Sequence, residues 1–345
     1  MLRRLFYALI IGLAIFYIVR HFDELKLILH TLWQGDHRYM LLAVLAQFCW
    51  LTVLSANLLA CYRLMGVQEH LSRVFTLVTA ANFMSVIAPS LGAGTLAVLL
   101  ADARQRGKAA GRVTTASYLY VMFDYIGLMV VMAISLAILI QYGLLSTFIL
   151  GGATFIIVVG FGMIGLTVLG IRSAEQLKHA IAWLVRRSNQ FLRTFTRRIV
   201  IDPVKAAGFA EDISEGLTEI RRKPWGLVIP FILALTRKSL MIVILYFVSL
   251  AFTTPFNLPT LIVSFMVSYL FTIASVTPSG VGFVEGAMAF IQTGMGINPV
   301  DSAAVIIAYR GVTFWLVALY GFVAFRRIHR GSQEQPEMDE AQSSE

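Results

Sequence analysis

Nine apolar runs divide this chain, at about 5–19, 39–61, 71–100, 113–141, 144–171, 225–252, 256–277, 279–296 and 300–325. A helix needs about 20 apolar residues to cross a hydrocarbon core of roughly 30 Å. Several of the runs meet that length. Transmembrane strands would instead give alternating segments of about ten residues, a pattern this sequence lacks. Charged residues make up 14% of the chain and hydrophobic ones 58%, against about 25% charged in an ordinary soluble protein. The fold class that follows is an all-α polytopic membrane protein.

Orientation comes from the bases. Between 172 and 223 lies a polar insert with eleven Lys or Arg against six acids, which the positive-inside rule places in the cytoplasm. Within it, "AIAWLVRRSNQFLRTF" has the pattern of a basic amphipathic helix lying on the inner leaflet. Counting crossings back from this insert makes "DARQRGKAAGR" (102–112) cytoplasmic, and its four bases against one acid agree. "FRRIHR" puts the C-terminus on the same side, so a multi-pass protein of the inner or plasma membrane is expected. The domains expected are a signal-anchor helix and external loop (1–38), a first membrane half (39–171), the cytoplasmic insert (172–223), a second membrane half (224–330) and an acidic disordered tail (331–345). The first of these is read as retained, because no small-residue cleavage site precedes Arg20.

Each membrane half reads as crossing, broken hairpin, crossing. Pro89 in "APSLGAG" and Pro278 in "TPSGVG" lie 189 positions apart, and runs 39–61 and 113–141 correspond to 225–252 and 300–325. Loop parity turns the second half upside down. The expectation is an inverted-topology repeat with two Pro/Gly-broken helical hairpins, an arrangement in which transporters place substrate at the breaks. Whether each hairpin is re-entrant or makes two full crossings is left open by parity.

An ionisable side chain at mid-bilayer costs about 2.5–3.5 kcal/mol on insertion scales and usually faces a partner or a wet cavity. Five such residues stand out: Asp124, Arg237, Lys238, Glu285 and Arg310. Glu285 follows Pro278 by seven residues, near the start of a helix, where unpaired N–H groups favour a carboxylate. Arg310 on the next crossing is its expected counter-charge. That pair has two readings, one a structural lock and the other a grip on an anionic phosphate by a guanidinium and helix N-termini. Arg237 and Asp124 are a second expected pair. The six histidines fall in loops, interfaces or the tail, and the two cysteines form neither a disulfide framework nor a zinc pattern. Neither a metal site nor a Ser/His pair is expected, and no cofactor or nucleotide-binding motif is present. The net charge of +9 is assigned to lipid-facing loops and not to nucleic acid, because no aromatic–basic interleaving accompanies it.

"TPSGVGFVEGAMAFIQTGMGINPVDSAAVIIAYRGVTFW" resembles the final membrane motif of the lysylphosphatidylglycerol synthase transmembrane, or flippase-like, family. The motif elements map to Pro278, Gly280, Gly282, Glu285 and Arg310, and the weaker first-half motif to Pro89, Gly92, Gly94 and Asp124. Val121 stands where the first-half motif has an arginine, a departure for which Arg237 or Lys238 could substitute. The resemblance, over roughly 39–325, implies a membrane part that handles lipid. A stand-alone member is expected, since only twenty residues follow the last run. The expected function is a lipid flippase or transporter, not an enzyme, moving an anionic phospholipid or a polyprenyl-phosphate-linked lipid between leaflets. The substrate-binding set is the motif residues above together with Arg237 and Lys238. Expected partners are an anionic lipid headgroup, the bilayer, and either a second copy or an envelope-biosynthesis enzyme. Two other classes stay open, a non-transporting scaffold for an envelope lipid or glycan enzyme and an intramembrane transferase acting on a lipid phosphate.

Overall fold

The computed structural model describes residues 30–87, 93–105, 110–196, 202–222, 224–254, 256–274, 280–321 and 323–324. Pro89, Gly92, Pro278, most of the expected N-terminal anchor and the acidic tail lie outside these residues. Among the described residues there is no strand. The helices are α1 (His37–Leu64), α2 (Leu71–Ile87), α3 (Ala93–Gln105), α4 (Ala110–Gln141), α5 (Thr147–Arg172), α6 (Ala174–Thr196), α7 (Pro203–Arg222), α8 (Val228–Ala251), α9 (Leu258–Ala274), α10 (Phe283–Gly294) and α11 (Pro299–Arg310). A 3-10 turn, Pro224–Leu227, leads into α8, and a π turn, Gly311–Trp315, carries α11 on to Gly321.

Polar side chains at the loop ends start the long helices. The Asp36 carboxylate accepts from the Arg38 N–H at 2.8 Å ahead of α1. Ser146 caps α5 through the Ile149 N–H at 3.3 Å. Asn298 takes the Val300 N–H at 2.9 Å, with Pro299 opening α11. Side-chain oxygens of this kind satisfy the N–H groups that a helix start leaves unpaired. Among the described residues, five helices are long and apolar enough to cross a membrane, at His37–Leu64, Gly111–Gln141, Thr147–Arg172, Pro224–Ala251 and Pro299–Gly321. α5 is the barest of them, presenting Phe148, Phe155, Val158 and Phe161 outward, as a lipid-facing helix should. With α3 at 13 residues and α10 at 12, a rise of 1.5 Å per residue gives roughly 20 and 18 Å. Neither reaches across roughly 30 Å of hydrocarbon. Each packs on the longer arm before it, α3 on α2 and α10 on α9, so the two broken segments are pairs with one short arm.

α1 and α8 form the most extensive helix pair and run antiparallel. The Asp36 N–H donates to the Ala251 carbonyl at 2.8 Å, joining the start of α1 to the end of α8. At the opposite end, Gly226 lies so close to Leu64 that a Cβ would come within 2.4 Å of it. Asn57 further donates to the Pro230 carbonyl at 3.0 Å. α4 crosses against α8 where Gly127 meets Ala234, and a Cβ there would stand 3.2 Å from the Ala234 carbonyl oxygen. Leu144, just past α4, packs on Gly294, the last residue of α10, so the end of α4 lies beside the turn that leads into α11. Shifting the bounds of α2 and α3 by 189 positions gives 260–276 and 282–294, against Leu258–Ala274 and Phe283–Gly294 observed.

One edge of the insert's amphipathic helix meets another helix. Leu177, Ile181 and Val185, the apolar edge of α6, are buried in the protein core and face α7. α7 is in turn fastened to α4, where Thr115 Oγ1 donates to the Asp212 carbonyl at 2.9 Å and Gly216 leaves room for the Thr115 side chain. A neighbouring apolar helix gives that edge a closer-packed surface than a fluid interface. Trp183 and Leu184 stay exposed, so a second apolar edge of α6 still faces outward.

Candidate functional site

Four of the five intramembrane charges line one cavity of about 310 Å³: Asp124, Arg237, Lys238 and Arg310. The chain reaches this arrangement through helix periodicity. On α4, Asp124 and Gly127 are three apart and share a face. Because Gly127 lets α8 approach at Ala234, the next turn of α8 brings Arg237 and Lys238 onto the Asp124 carboxylate. Arg237 forms an ion pair with Asp124 Oδ1, and Lys238 Nζ lies 2.5 Å from the same oxygen. The Tyr269 hydroxyl of α9 donates to Asp124 Oδ2 at 2.8 Å. One carboxylate thus receives two cations and a phenol.

Aromatic rings complete these contacts. The Arg237 guanidinium lies 5.3 Å from the Tyr120 ring centre and donates to its hydroxyl at 3.2 Å. Lys238 Nζ sits 4.1 Å above Tyr269. Side chains of Arg237 and Lys238 are only 5% and 4% exposed, so both charges are held by neighbours and not by water. A buried ion pair that loses one partner leaves an uncompensated charge, which costs about 3–5 kcal/mol.

Across the cavity, Arg310 Nε donates to Glu285 Oε1 at 2.7 Å, and its guanidinium stacks 4.7 Å from Phe314. Glu285 is the third residue of α10, and its other oxygen, Oε2, accepts the Gly282 N–H at 2.6 Å. A glutamate three residues past the helix start commonly reaches back in this way. The turn before it needs glycine. Gly280 and Gly282 have φ of 73° and 86°, a region closed to most L-residues, and a Cβ on Gly280 would also collide with Val284 at 2.6 Å. Glu285 therefore starts α10 and holds Arg310 with the same side chain.

Both broken pairs reach the cavity, through Asn82 of α2, Thr95 in the first turn of α3, and Ser268, Tyr269, Thr272 and Ile273 near the end of α9. Gly94 occupies the second position of α3, beside Thr95. Pro89, Gly92 and Pro278 fall outside the described residues. Val121 lines the cavity as an apolar wall, one turn before Asp124, and the cations on Asp124 come from α8. Sequence reasoning missed the rings. Tyr120 precedes Asp124 by four positions and Phe314 follows Arg310 by four, the spacing that puts two side chains on one helix face, so both were open to that rule. Tyr269 carries no comparable local signal. No group of three or more His, Cys, Asp or Glu able to hold a metal occurs among the described residues.

Residues 5–321 match the family described as the lysylphosphatidylglycerol synthase TM region. Among curated proteins, the chain is 21% identical over 338 residues to a UPF0104 membrane protein of Methanocaldococcus jannaschii, covering 93% of this chain and 94% of that one. A UPF0104 membrane protein of Methanothermobacter thermautotrophicus is 24% identical over 300 residues, with 84% and 86% covered. No solved structure gives a significant match. With the match running from before the first described helix to the end of α11, the chain belongs to the lysylphosphatidylglycerol synthase transmembrane-region family.

Proposed function

We propose that this protein moves a lipid with an anionic, phosphate-bearing headgroup between membrane leaflets. The observation that carries this reading is the single cavity in which Arg237, Lys238 and Arg310 converge from two membrane-crossing helices. Its volume of about 310 Å³ is at the lower end of the roughly 300–1,000 Å³ usual for ligand pockets. That suits a headgroup, while acyl chains stay in lipid. The first turns of α3 and α10 adjoin the cavity through Thr95 and through the Glu285–Arg310 contact, and helix starts favour anions.

The carboxylates argue for transport without chemistry. Asp124 is occupied by two basic side chains and a phenol, and Glu285 by a backbone N–H and a guanidinium. Committed in this way to partners within the protein, both carboxylates serve to hold the site's basic side chains. An inverted repeat is part of the same reading. It is supported by the antiparallel course of α1 against α8, by the end of α4 lying beside the turn into α11, and by the helix bounds that recur at 189 positions. The reading has the insert and C-terminus on the cytoplasmic side of an inner or plasma membrane, which the basic residues of 172–223 support.

Purified protein in liposomes is expected to speed the exchange of labelled phosphatidylglycerol between leaflets, with the lipid recovered unchanged by mass spectrometry. Arg310→Ala should lower that rate at least tenfold. Protein-containing liposomes that exchange lipid no faster than empty ones would remove the reading.

A further inference from the structure

Two basic side chains share a single carboxylate in this cavity. Arg237 and Lys238 both pair with Asp124 Oδ1, and both are nearly sealed from solvent. The elements packed around Lys238 bring few other ionisable groups. α4 contributes Asp124, Tyr120 and Tyr125, α9 contributes Tyr269, and α11 contributes Tyr309 and Arg310. α1 lines the cavity only with Trp50 and Leu54, although its buried Cys61 lies within electrostatic range of Arg237. α2 and α3 add the uncharged Asn82 and Thr95. Arg310 already has Glu285. Among the described residues of the site, then, there are three basic groups and two carboxylates.

An interior of low dielectric disfavours net charge. The two arginines cannot shed a proton, whereas a buried lysine can. We propose that Lys238 is the proton-carrying group of the site, unprotonated when the cavity is empty and protonated when it holds a singly charged phosphodiester. The proposal rests on reading the cavity as an anion site, and it makes the cargo an anion accompanied by one proton. The site is then neutral in both states, as two cations facing two carboxylates when empty and as three cations facing two carboxylates and one phosphate when filled. On loading, the Nζ lone pair takes a proton from the aqueous medium: one N–H bond forms as the donor's O–H bond breaks, and the donor's conjugate base stays in solution, where it is read as proton uptake.

Geometry accommodates both forms of Lys238. As a neutral amine it rests beside Asp124 Oδ1, whose charge Arg237 already balances. The ammonium gains the face of Tyr269, 4.1 Å away, where a cation is attracted by the ring quadrupole. Arg237 remains charged in both states and keeps Asp124 ionised. One phosphodiester balances one proton, whereas a doubly charged phosphomonoester would leave the filled site negative. Phosphodiester headgroups are therefore the expected class.

The test is proton uptake on binding, read in weakly buffered solution with purified full-length protein in detergent and dihexanoyl phosphatidylglycerol as probe. About one proton should be taken up per lipid bound at alkaline pH, and affinity should fall by about tenfold per pH unit there, as linkage of one proton requires. In Lys238→Arg the charge is permanent, so uptake should vanish and binding lose its pH dependence. Lys238→Met, a neutral match for the empty site, guards against misfolding of the first variant and should bind weakly with no uptake. Binding by the natural protein with no proton uptake overturns the coupling and leaves the anion site standing. Uptake that persists in both variants moves the proton elsewhere and overturns the assignment to Lys238. No preference for this probe over dihexanoyl phosphatidylcholine removes the anion site itself, and the coupling with it.

Discussion

Asp124 holds more of the site together than any other side chain. Its two oxygens meet Arg237, Lys238 and Tyr269, so it joins α4 to α8 and α9. Asp124→Asn removes the charge and leaves the buried Arg237 guanidinium without its counter-charge. A loss of about 3–5 kcal/mol is expected from an unpaired buried charge, read as a lowered thermal midpoint in detergent. An unchanged midpoint would show that the cluster is hydrated and cheap to break. That five charges belonged together was legible from their depth in apolar runs. Which cation would meet which carboxylate was only partly so. Glu285 with Arg310 and Asp124 with Arg237 followed from opposite charge on separate crossings, but Lys238 on the same oxygen did not. Adjacent residues on a helix point about 100° apart, and only the close crossing at Gly127 lets both turn inward to one point.

Among the helices, that crossing of α4 and α8 sets the geometry of the cavity. A Cβ at Gly127 stands 3.2 Å from the Ala234 carbonyl oxygen and 3.5 Å from Lys238 Cγ, so alanine is a tight fit and a larger side chain must part the helices. Gly127→Leu should cost about 1–3 kcal/mol as an overpacked contact. It should also weaken lipid binding, because Arg237 and Lys238 retreat from Asp124. Titrating dihexanoyl phosphatidylglycerol into the variant measures the second effect, and an unaltered affinity would discount the crossing as a determinant of the site. Helix positions were legible from hydrophobic runs and the two Pro/Gly breaks. The docking of α6 was not, because an amphipathic stripe reads alike whether it meets lipid or another helix. Its partner, α7, turns Ala206, Phe209 and Ile213 toward it, and only the folded chain shows the two stripes meeting.

For the molecule as a whole, the arrangement of bases fixes a testable orientation. With Cys49 and Cys61 replaced by serine, a single cysteine at Asn298, between α10 and α11, is expected to react with a membrane-impermeant maleimide on intact cells. A cysteine at the exposed Glu211 of α7 should react only after lysis. The reverse pattern would invert the protein, and labelling of both sites on intact cells would contradict the crossing count. The π turn at Gly311–Trp315 bears on how such a molecule could change shape. It holds one residue more than an α turn needs, and turns of this kind often sit at functional sites. Absorbing that residue would re-index everything beyond it, by roughly 1.5 Å and 100°. Thr313, Phe314 and Val317, three walls of the cavity, would move. Arg310 would stay with Glu285, while the Ser302–Gln292 hydrogen bond at 2.7 Å anchors the start of α11. One side of the chamber can thus be redrawn while the Arg310 guanidinium keeps its place.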